Sequence, residues 1–154
     1  MIFQRINRTN PEKIFLVAYN SYTTASLTNG QAAAWDVITD CDGVSVTLPQ
    51  ATATTAGVSF AGIVAETIAA GSYGLIQVYG YHSAVRARAA STSGTGATKA
   101  IAKGTPLQLS QTAAFCLEAH ATESTVILAY PIGFALAANA LWTTAAIAAF
   151  IKAL

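Results

Sequence analysis

The residues with the widest chemical repertoire in this chain are its two histidines, His82 and His120. A histidine beside a carboxylate can transfer protons or bind a metal, and His120 lies between Glu118 and Glu123 in the sequence. A small hydrolase would use His120 with Glu118 or Asp40. However, no HExxH motif and no second ligand pair accompanies these residues, so a structural or surface role is favoured. We predict no catalytic residue and no metal site.

Three aspartates and two cysteines are further candidates for a metal site or for chemical reactivity. Asp36, Asp40 and Asp42 offer the oxygen ligands that calcium prefers, yet aspartate is also the residue type that tight turns need. We favour the turn interpretation. Cys41 and Cys116 have neither metal-ligand spacing nor the pattern of a disulfide framework, which is typical of a reducing compartment. Cys116 stands between apolar neighbours and is expected to be a buried hydrophobe.

Two glycine-containing segments approach known motifs without matching them. Residues 94–100 read GTGATKA, in which the last glycine is separated from the lysine, so the phosphate-binding order GxxxxGK[ST] is absent. Residues 57–62 read GVSFAG, which is one residue too long for the GxSxG turn of a nucleophilic serine. We therefore interpret residues 94–100 as a loop and Ser59 as an ordinary strand residue.

The elements that would position these residues are short strands separated by turn dipeptides. Val44, Val46 and Leu48 alternate with Ser45 and Thr47, which predicts a strand with its valines buried and its hydroxyl residues in water. An Asp-Gly turn at 42–43 joins this strand to a candidate strand over residues 31–39 and predicts a hairpin. Asn-Gly at 29–30 predicts another turn. About eight short strands are expected in all.

Residues 57–82 combine apolar runs with glycines, which are favoured where a chain bends or approaches another backbone. In this segment we place Val58, Phe60 and Val64 on one side of a strand, with Ala61, Ile63 and Ala65 on the other. A turn at residues 70–72 precedes a further strand over residues 75–81. Neither face of that strand is plainly polar, so contacts on both faces are expected.

The C-terminal segment is ambiguous. Ile147, Phe150, Ile151 and Leu154 have helical spacing in an alanine-rich context, whereas a closing strand would turn Ile147 and Ile151 inward. Strand and short helix both stay open. Residues 132–154 are also apolar enough to suggest a membrane anchor, although alanine, asparagine and threonine weaken that interpretation. We favour burial within protein.

Composition indicates a protein that works through contact. The chain of 154 residues is 53% hydrophobic and 10% charged, against a usual charged share of roughly 25%. A surface with so few charges favours association with other protein. The formal net charge of +1 argues against nucleic acid as a partner. Tyr79 and Tyr81 share one strand face, as do Arg86 and Arg88, and these four residues are candidates for protein contact.

The order of several motifs resembles that of capsid decoration, or cement, proteins of tailed bacteriophages. The matching strings lie at residues 11–17, 35–37, 42–47, 61–65, 70–80, 103–107 and 132–136. This resemblance implies a small antiparallel β-barrel or β-tulip-like domain, here residues 14–154, preceded by an extended N-terminal arm, residues 1–13. It also implies that the protein has no catalytic activity and no cofactor.

The resemblance further implies a virion structural protein, made in the host cytoplasm, on the outer surface of the capsid. Its partners would be the major capsid protein and other copies of itself, without nucleic acid or membrane. Phe3, Arg5 and Arg8 of the arm are expected to contact the shell together with the four residues of the domain. The membrane-anchored protein and the small hydrolase are the alternatives.

Overall fold

The computed structural model describes residues 12–39, 42–47, 49, 59–91, 98–110, 116–119, 131–140 and 143–153. The prediction of a mainly β fold is confirmed, with eleven strands in this part of the chain. The strands are β1 Lys13–Asn20, β2 Ala32–Trp35, β3 Ser45–Thr47, β4 Phe60–Val64, β5 Tyr73–Arg88, β6 Ala90–Ser91, β7 Thr98–Lys99, β8 Pro106–Leu109, β9 Leu117–Ala119, β10 Gly133–Ala135 and β11 Ala145–Lys152. Most are short, as expected, but β5 has 16 residues.

The strands close into two rings that share β5. The first ring runs β1-β3-β2-β4-β5 and returns to β1, and the second runs β5-β11-β10-β8-β9 and returns to β5. In each ring one pair is parallel, β1 with β3 and β5 with β9, and the other pairs are antiparallel. The two rings therefore have the same strand order and the same directions, in place of the single barrel wall expected.

Turn geometry repeats between the rings as well. Gly30 and Gly104 precede β2 and β8 by two residues, and both have φ of 83°, a left-handed conformation that favours glycine. Gly30 N donates to Val64 O at 2.8 Å, and Gly104 N donates to Ala135 O at 2.7 Å. Matching bridges join Leu27 to Ile68 and Ile101 to Asn139. The chain thus contains two copies of one five-stranded unit.

Each ring has its own cluster of buried side chains. The first cluster includes Ala18, Val46, Val64 and Ile76, and the second includes Val85, Leu107, Leu117 and Ile147. Fully burying an aliphatic side chain of this size stabilises the fold by about 1.5–3 kcal/mol. Ala153 packs against both clusters and so joins the two units.

Strand β4 differs from its prediction. All five of its residues are buried, but Phe60 and Ile63 belong to the second cluster, whereas Ala61 and Val64 belong to the first. The simple alternation that paired Phe60 with Val64 was therefore wrong. The cause is an irregularity at Gly62, where φ is 155° and the register with β2 shifts. Such a bulge reverses which side chains share a face. Val58 lies outside the described residues.

The predicted hairpin is present, although its polar face is not in water. β2 and β3 pair antiparallel, with Trp35 opposite Val46. Ser45, expected to be wet, is 1% exposed, whereas Val44 is exposed. Ser45 is buried without loss of hydrogen bonding because its N–H and hydroxyl both donate to the Asp42 carboxylate. Leu48 lies outside the described residues.

The C-terminal segment forms a strand. β11 covers Ala145–Lys152 and pairs with β5 and β10, so the strand interpretation is confirmed and the helix interpretation is wrong. Ile147, Ala149 and Ile151 are buried, while Phe150 is half-buried between them. Pairing on both edges outweighs the helical preference of alanine. In the described part of the chain, no helix has the length and apolarity needed to cross a membrane.

Candidate contact surface

Of the two histidines, the described one, His82, lies inside the fold. His82 is 6% exposed, and its Nδ1 accepts a hydrogen bond from Ala84 N at 3.1 Å. Burial, together with the nearby positive charge of Lys13, lowers the pKa of His82. The imidazole is therefore kept neutral, as a structural group. His120, with Glu123 and Asp40, lies outside the described residues.

Glu118 of β9 is buried beside polar side chains of β8 and of the residue that follows it. Its two carboxylate oxygens accept hydrogen bonds from Gln108 Nε2 at 3.0 Å and from Ser110 Oγ at 2.9 Å. Arg88 is the partner of Glu118 in the pairing of β5 with β9. Hydrogen bonds satisfy a buried carboxylate in this way. The described contacts thus give Glu118 a structural role.

Asp36 and Asp42 form local turns. The Asp36 carboxylate accepts hydrogen bonds from Ser21 Oγ at 2.8 Å and from Thr39 N at 2.9 Å. Asp42 Oδ1 accepts from Val44 N and Ser45 N, both at 2.8 Å, and these backbone bonds lower the pKa of Asp42. Among the described residues, no group of three or more His, Cys, Asp or Glu side chains is placed to hold a metal ion.

An aromatic row crosses three neighbouring strands on the outside of the second ring. Phe134 on β10 stacks on Phe150 of β11, with ring centroids 5.2 Å apart and planes inclined by 11°. Phe150 in turn meets Tyr79 of β5 edge to face, at 5.1 Å and 84°. Tyr81 lies opposite Phe150 in the pairing of β5 with β11. We call these four residues, Phe134, Phe150, Tyr79 and Tyr81, the aromatic row.

The row is open to solvent at both ends. Phe134 is 41% exposed, while Phe150 and the two tyrosines are half-buried. The Lys13 ammonium lies over the Tyr81 ring, 5.9 Å from its centroid, which is within the range of a cation–π contact. Aromatic side chains with a nearby cation are typical of surfaces that bind protein.

A bulge places Arg86 on the same face as the tyrosines. Ile147 pairs with Val85 and Ala149 with His82, so β5 has one extra residue there. Tyr81 lies opposite Phe150 and Arg86 opposite Ala146, all on the outward side of β11. Arg86 is exposed, and its guanidinium donates to Thr28 Oγ1 at 3.0 Å.

The remaining residues predicted for contact are placed differently. Arg88 is half-buried at the end of β5, opposite Glu118, and so lies away from the aromatic row. Phe3, Arg5 and Arg8 lie outside the described residues. Lys13, assigned to the arm, is the first residue of β1.

Sequence reasoning missed Phe134 and Phe150. The signal for Phe150 was the alternation of the C-terminal strand, in which it stands on the face opposite Ile147 and Ile151. Phe134 carried no such signal, because β10 has only three residues.

Strand β1 exposes a second apolar surface. Ile14, Phe15, Leu16 and Val17 are 39–62% exposed, although consecutive strand residues point to opposite faces. Both faces of this strand are therefore accessible to a partner. Contiguous apolar exposure of this kind marks interaction sites.

Comparison of the fold with solved structures gives a distant likeness to a bacteriophage protein. No protein-family model matches the chain, and no curated protein matches it. Among solved structures, the fold is similar to one described as the crystal structure of head fiber gp8.5 N base in bacteriophage phi29. The TM-score is 0.47 at 11% sequence identity, over 92% of this chain and 96% of the other. The structural neighbour is thus a phage structural protein.

Proposed function

We propose that this protein is a non-catalytic virion structural protein that binds the outside of an assembled phage capsid and bridges neighbouring major capsid subunits. The observation that carries the proposal is the aromatic row, whose Tyr79 and Tyr81 end is solvent-accessible beside Lys13, with Arg86 further along the same face of β5. The order of motifs shared with capsid decoration proteins supplies the class of partner. The protein would be made in the host cytoplasm and act on the virion surface.

The mechanism is selective binding. A protein that binds the assembled shell but not its dissociated subunits stabilises the shell by RT ln(1 + [L]/Kd) for each site. Tyrosine suits this role because it buries a large rigid ring and keeps a hydroxyl for hydrogen bonding. Arg86 adds a planar donor for a carboxylate or a carbonyl group on the partner.

The arm would provide a second point of attachment. Residues 1–13, with Phe3, Arg5 and Arg8, lead directly into the exposed strand β1. Extended segments bind by pairing with the free edge of a partner's sheet, and two linked contacts bind more tightly than either one. Bridging follows when the arm and the aromatic row engage different capsid subunits.

The test is co-sedimentation of the purified chain with capsid shells. Replacing Tyr79→Ser and Tyr81→Ser together is expected to weaken binding by at least about tenfold, because an interface aromatic commonly contributes over 1 kcal/mol. Tyr73→Ser is the matched control, since Tyr73 is an exposed tyrosine of the same strand, 66% exposed and outside the row. Deleting residues 2–11 tests the arm. Unchanged shell occupancy in the double variant would refute the role of the row.

A further inference from the structure

Strand β1 has one edge that is open over most of its length. Its other edge pairs with β5 from Lys13 to Tyr19. On the open edge, β3 pairs with β1 only at Tyr19 and Asn20. Among the described residues, none pairs with residues 13–17 on that side. Five residues of β1 therefore form a free sheet edge.

The hydrogen bonds at the end of β1 show which backbone groups point toward this edge. Tyr19 N donates to Val44 O, on the side of β3, whereas Asn20 N donates to Ser72 O, on the side of β5. Successive residues of a strand direct their N–H and C=O groups to opposite edges. The odd-numbered residues of β1 therefore direct theirs away from β5.

This alternation holds along the whole free edge. The bulge in the pairing of β1 with β5 adds its extra residue, Val78, to β5 and leaves β1 regular. Three residues of the free edge thus present both an N–H and a C=O group to a partner strand, namely Lys13, Phe15 and Val17.

The side chains of this edge do not protect it from pairing. Edge strands usually avoid association through charges, proline or a bulge that turns the edge away. Residues 14–18 read IFLVA, and Val17 is 62% exposed. The one charge within the free edge is that of Lys13, whose ammonium lies over the Tyr81 ring on β5. The edge is therefore apolar and accessible.

The position of β3 limits how far a partner strand can extend. Ala18 is buried, and Tyr19 N already donates to Val44 O. A partner can therefore pair with residues 13–17 and no further. An antiparallel strand that fits this limit must have about the same length and present its own outward groups at alternate residues.

We propose that the partner is a second copy of this chain, paired antiparallel through β1 with Phe15 of one copy opposite Phe15 of the other. Lys13 then lies opposite Val17 at both ends of the contact. Each of these three pairs exchanges two hydrogen bonds, so every outward backbone group of both copies is satisfied. The contact is isologous, since the same surface of each copy is used.

Charge and packing favour this arrangement. Antiparallel pairing keeps the two Lys13 residues four positions apart, about 13 Å, whereas parallel pairing would place the like charges side by side. Leu16 is 39% exposed although it pairs with the core residue Ile76. In the antiparallel pair, Ile14 of the other copy lies opposite Leu16 and covers it. This burial of apolar side chains drives the association.

The pairing leaves the aromatic row accessible and goes beyond the proposed function. Tyr79 and Gly80 of β5 pair with β1 on one side and with β11 on the other. Phe134 and Phe150 therefore lie across β5 from the free edge. A dimer would present two aromatic rows, and two linked contacts bind a shell more tightly than one.

Disulfide trapping tests the register. Phe15→Cys is introduced into a Cys41→Ser, Cys116→Ala background, and the purified chain is oxidised. A disulfide-linked dimer is expected as the main product. The reason is that opposite, hydrogen-bonded residues have Cα atoms about 5.5 Å apart, within the range of about 4.4–6.8 Å that a disulfide spans.

Leu16→Cys in the same background is the matched control. Leu16 and Phe15 are equally exposed, at 39% and 40%, so random collision would cross-link both alike. In the proposed register the two Leu16 residues are diagonal neighbours, about 7–8 Å apart, and Leu16→Cys is expected to stay largely unlinked. Equal cross-linking of the two variants overturns the proposal.

Sedimentation equilibrium of the purified chain, without shells, tests the hydrogen bonds. The native chain is expected to shift from monomer to dimer as its concentration rises. Val17→Pro removes an outward N–H and leaves the bonds to β5 intact. It is expected to raise the dissociation constant at least about tenfold, because each copy loses one hydrogen bond. Val17→Thr keeps the N–H and is expected to dimerise as the native chain does.

Circular dichroism checks that every variant is folded, and if Val17→Pro is not, the trapping comparison decides. A native chain that stays monomeric overturns the proposal, as do equal dissociation constants for Val17→Pro and Val17→Thr. Because no shell is present, none of these results bears on capsid binding by the aromatic row.

Discussion

Gly62 and Gly133 occupy equivalent positions in the two rings and make the same close approach to a neighbouring backbone. A Cβ on Gly62 would lie 2.7 Å from the carbonyl oxygen of Gln77, and a Cβ on Gly133 would overlap with the carbonyl oxygen of Phe150. Gln77 and Phe150 are themselves equivalent partners on β5 and β11. The same steric requirement is therefore met twice, by the same residue type, 71 positions apart.

Substitution of Gly133 should measure this requirement. Gly133→Asn is expected to lower the free energy of unfolding by about 1–3 kcal/mol, because a side chain there forces β10 away from β11. Gly43→Asn is the matched control. Gly43 has φ of 74° with no described atom within 4 Å of its Cβ position, and asparagine tolerates that conformation. Urea unfolding of both variants checks the prediction, and equal stabilities would contradict it.

Asn139 ties the second ring together from within. Its side-chain Nδ2 donates to Ala87 O at 3.0 Å, and Asn139 is 6% exposed. Asn139→Ala leaves that carbonyl without this donor, at an expected cost of about 1–3 kcal/mol. Thr24→Ala, at an exposed position of the first unit, should change the stability by less than about 0.5 kcal/mol. Thermal unfolding of both variants measures the two losses of stability. A smaller loss in Asn139→Ala than in Thr24→Ala would refute the structural role of Asn139.

His82 should make stability depend on pH. Burial lowers its pKa below the ordinary value of 6.5, so the unfolded chain binds a proton that the folded chain does not. Its contribution is therefore present above about pH 6.5 and is lost as the pH falls toward the folded-state pKa. His82→Asn should flatten the fall in unfolding free energy just below pH 6.5, and Thr24→Asn, at an exposed position, should leave it. If the unfolding free energy of His82→Asn falls as steeply with pH as that of the native chain, the pH dependence does not come from His82.

Cys116 should be unreactive in the folded protein. It is 1% exposed, and burial raises the pKa of its thiol, which disfavours the nucleophilic thiolate. In a Cys41→Ser background, a thiol reagent is expected to modify Cys116 only after denaturation. Ser83→Cys, an exposed position on β5, provides a reactive control in the same background. Rapid modification of Cys116 under native conditions would show that the site opens.

Local signals in the sequence predicted much of the fold. The turn at Gly30, the hairpin at Gly43 and the turn at Gly71 all lie where dipeptide preferences placed them, and each of these glycines has a positive φ. These features depend on a few neighbouring residues, so the sequence carries them directly.

Features that depend on distant pairing were not predictable. The bulge at Gly62 reversed the faces of β4, and the extra residue between His82 and Val85 brought Arg86 to the face of the tyrosines. Neither shift leaves a mark in the hydrophobic pattern. The repeated unit was also hidden, because residues 27–31 and 101–105 share only their glycine. Backbone geometry was kept while the side chains diverged.

The tyrosines of the contact surface were identified from sequence, but the phenylalanines beside them were not. Tyr79 and Tyr81 alternate within one long strand, whereas Phe134 and Phe150 reach them only through the pairing of β10 and β11 with β5. A surface that is assembled from three separate strands leaves no recognisable pattern in the amino-acid sequence.

Strand β5 belongs to both rings, and this sharing determines how the protein unfolds. Opening the first ring at β1 or β4 frees an edge of the strand against which β11 and β9 pair. Tyr79 and Gly80 pair with β1 and also with β11, so opening either ring removes neighbours from residues that the other ring pairs. The two units, though each has a separate core, should therefore unfold in one cooperative transition and behave as a single mechanical element.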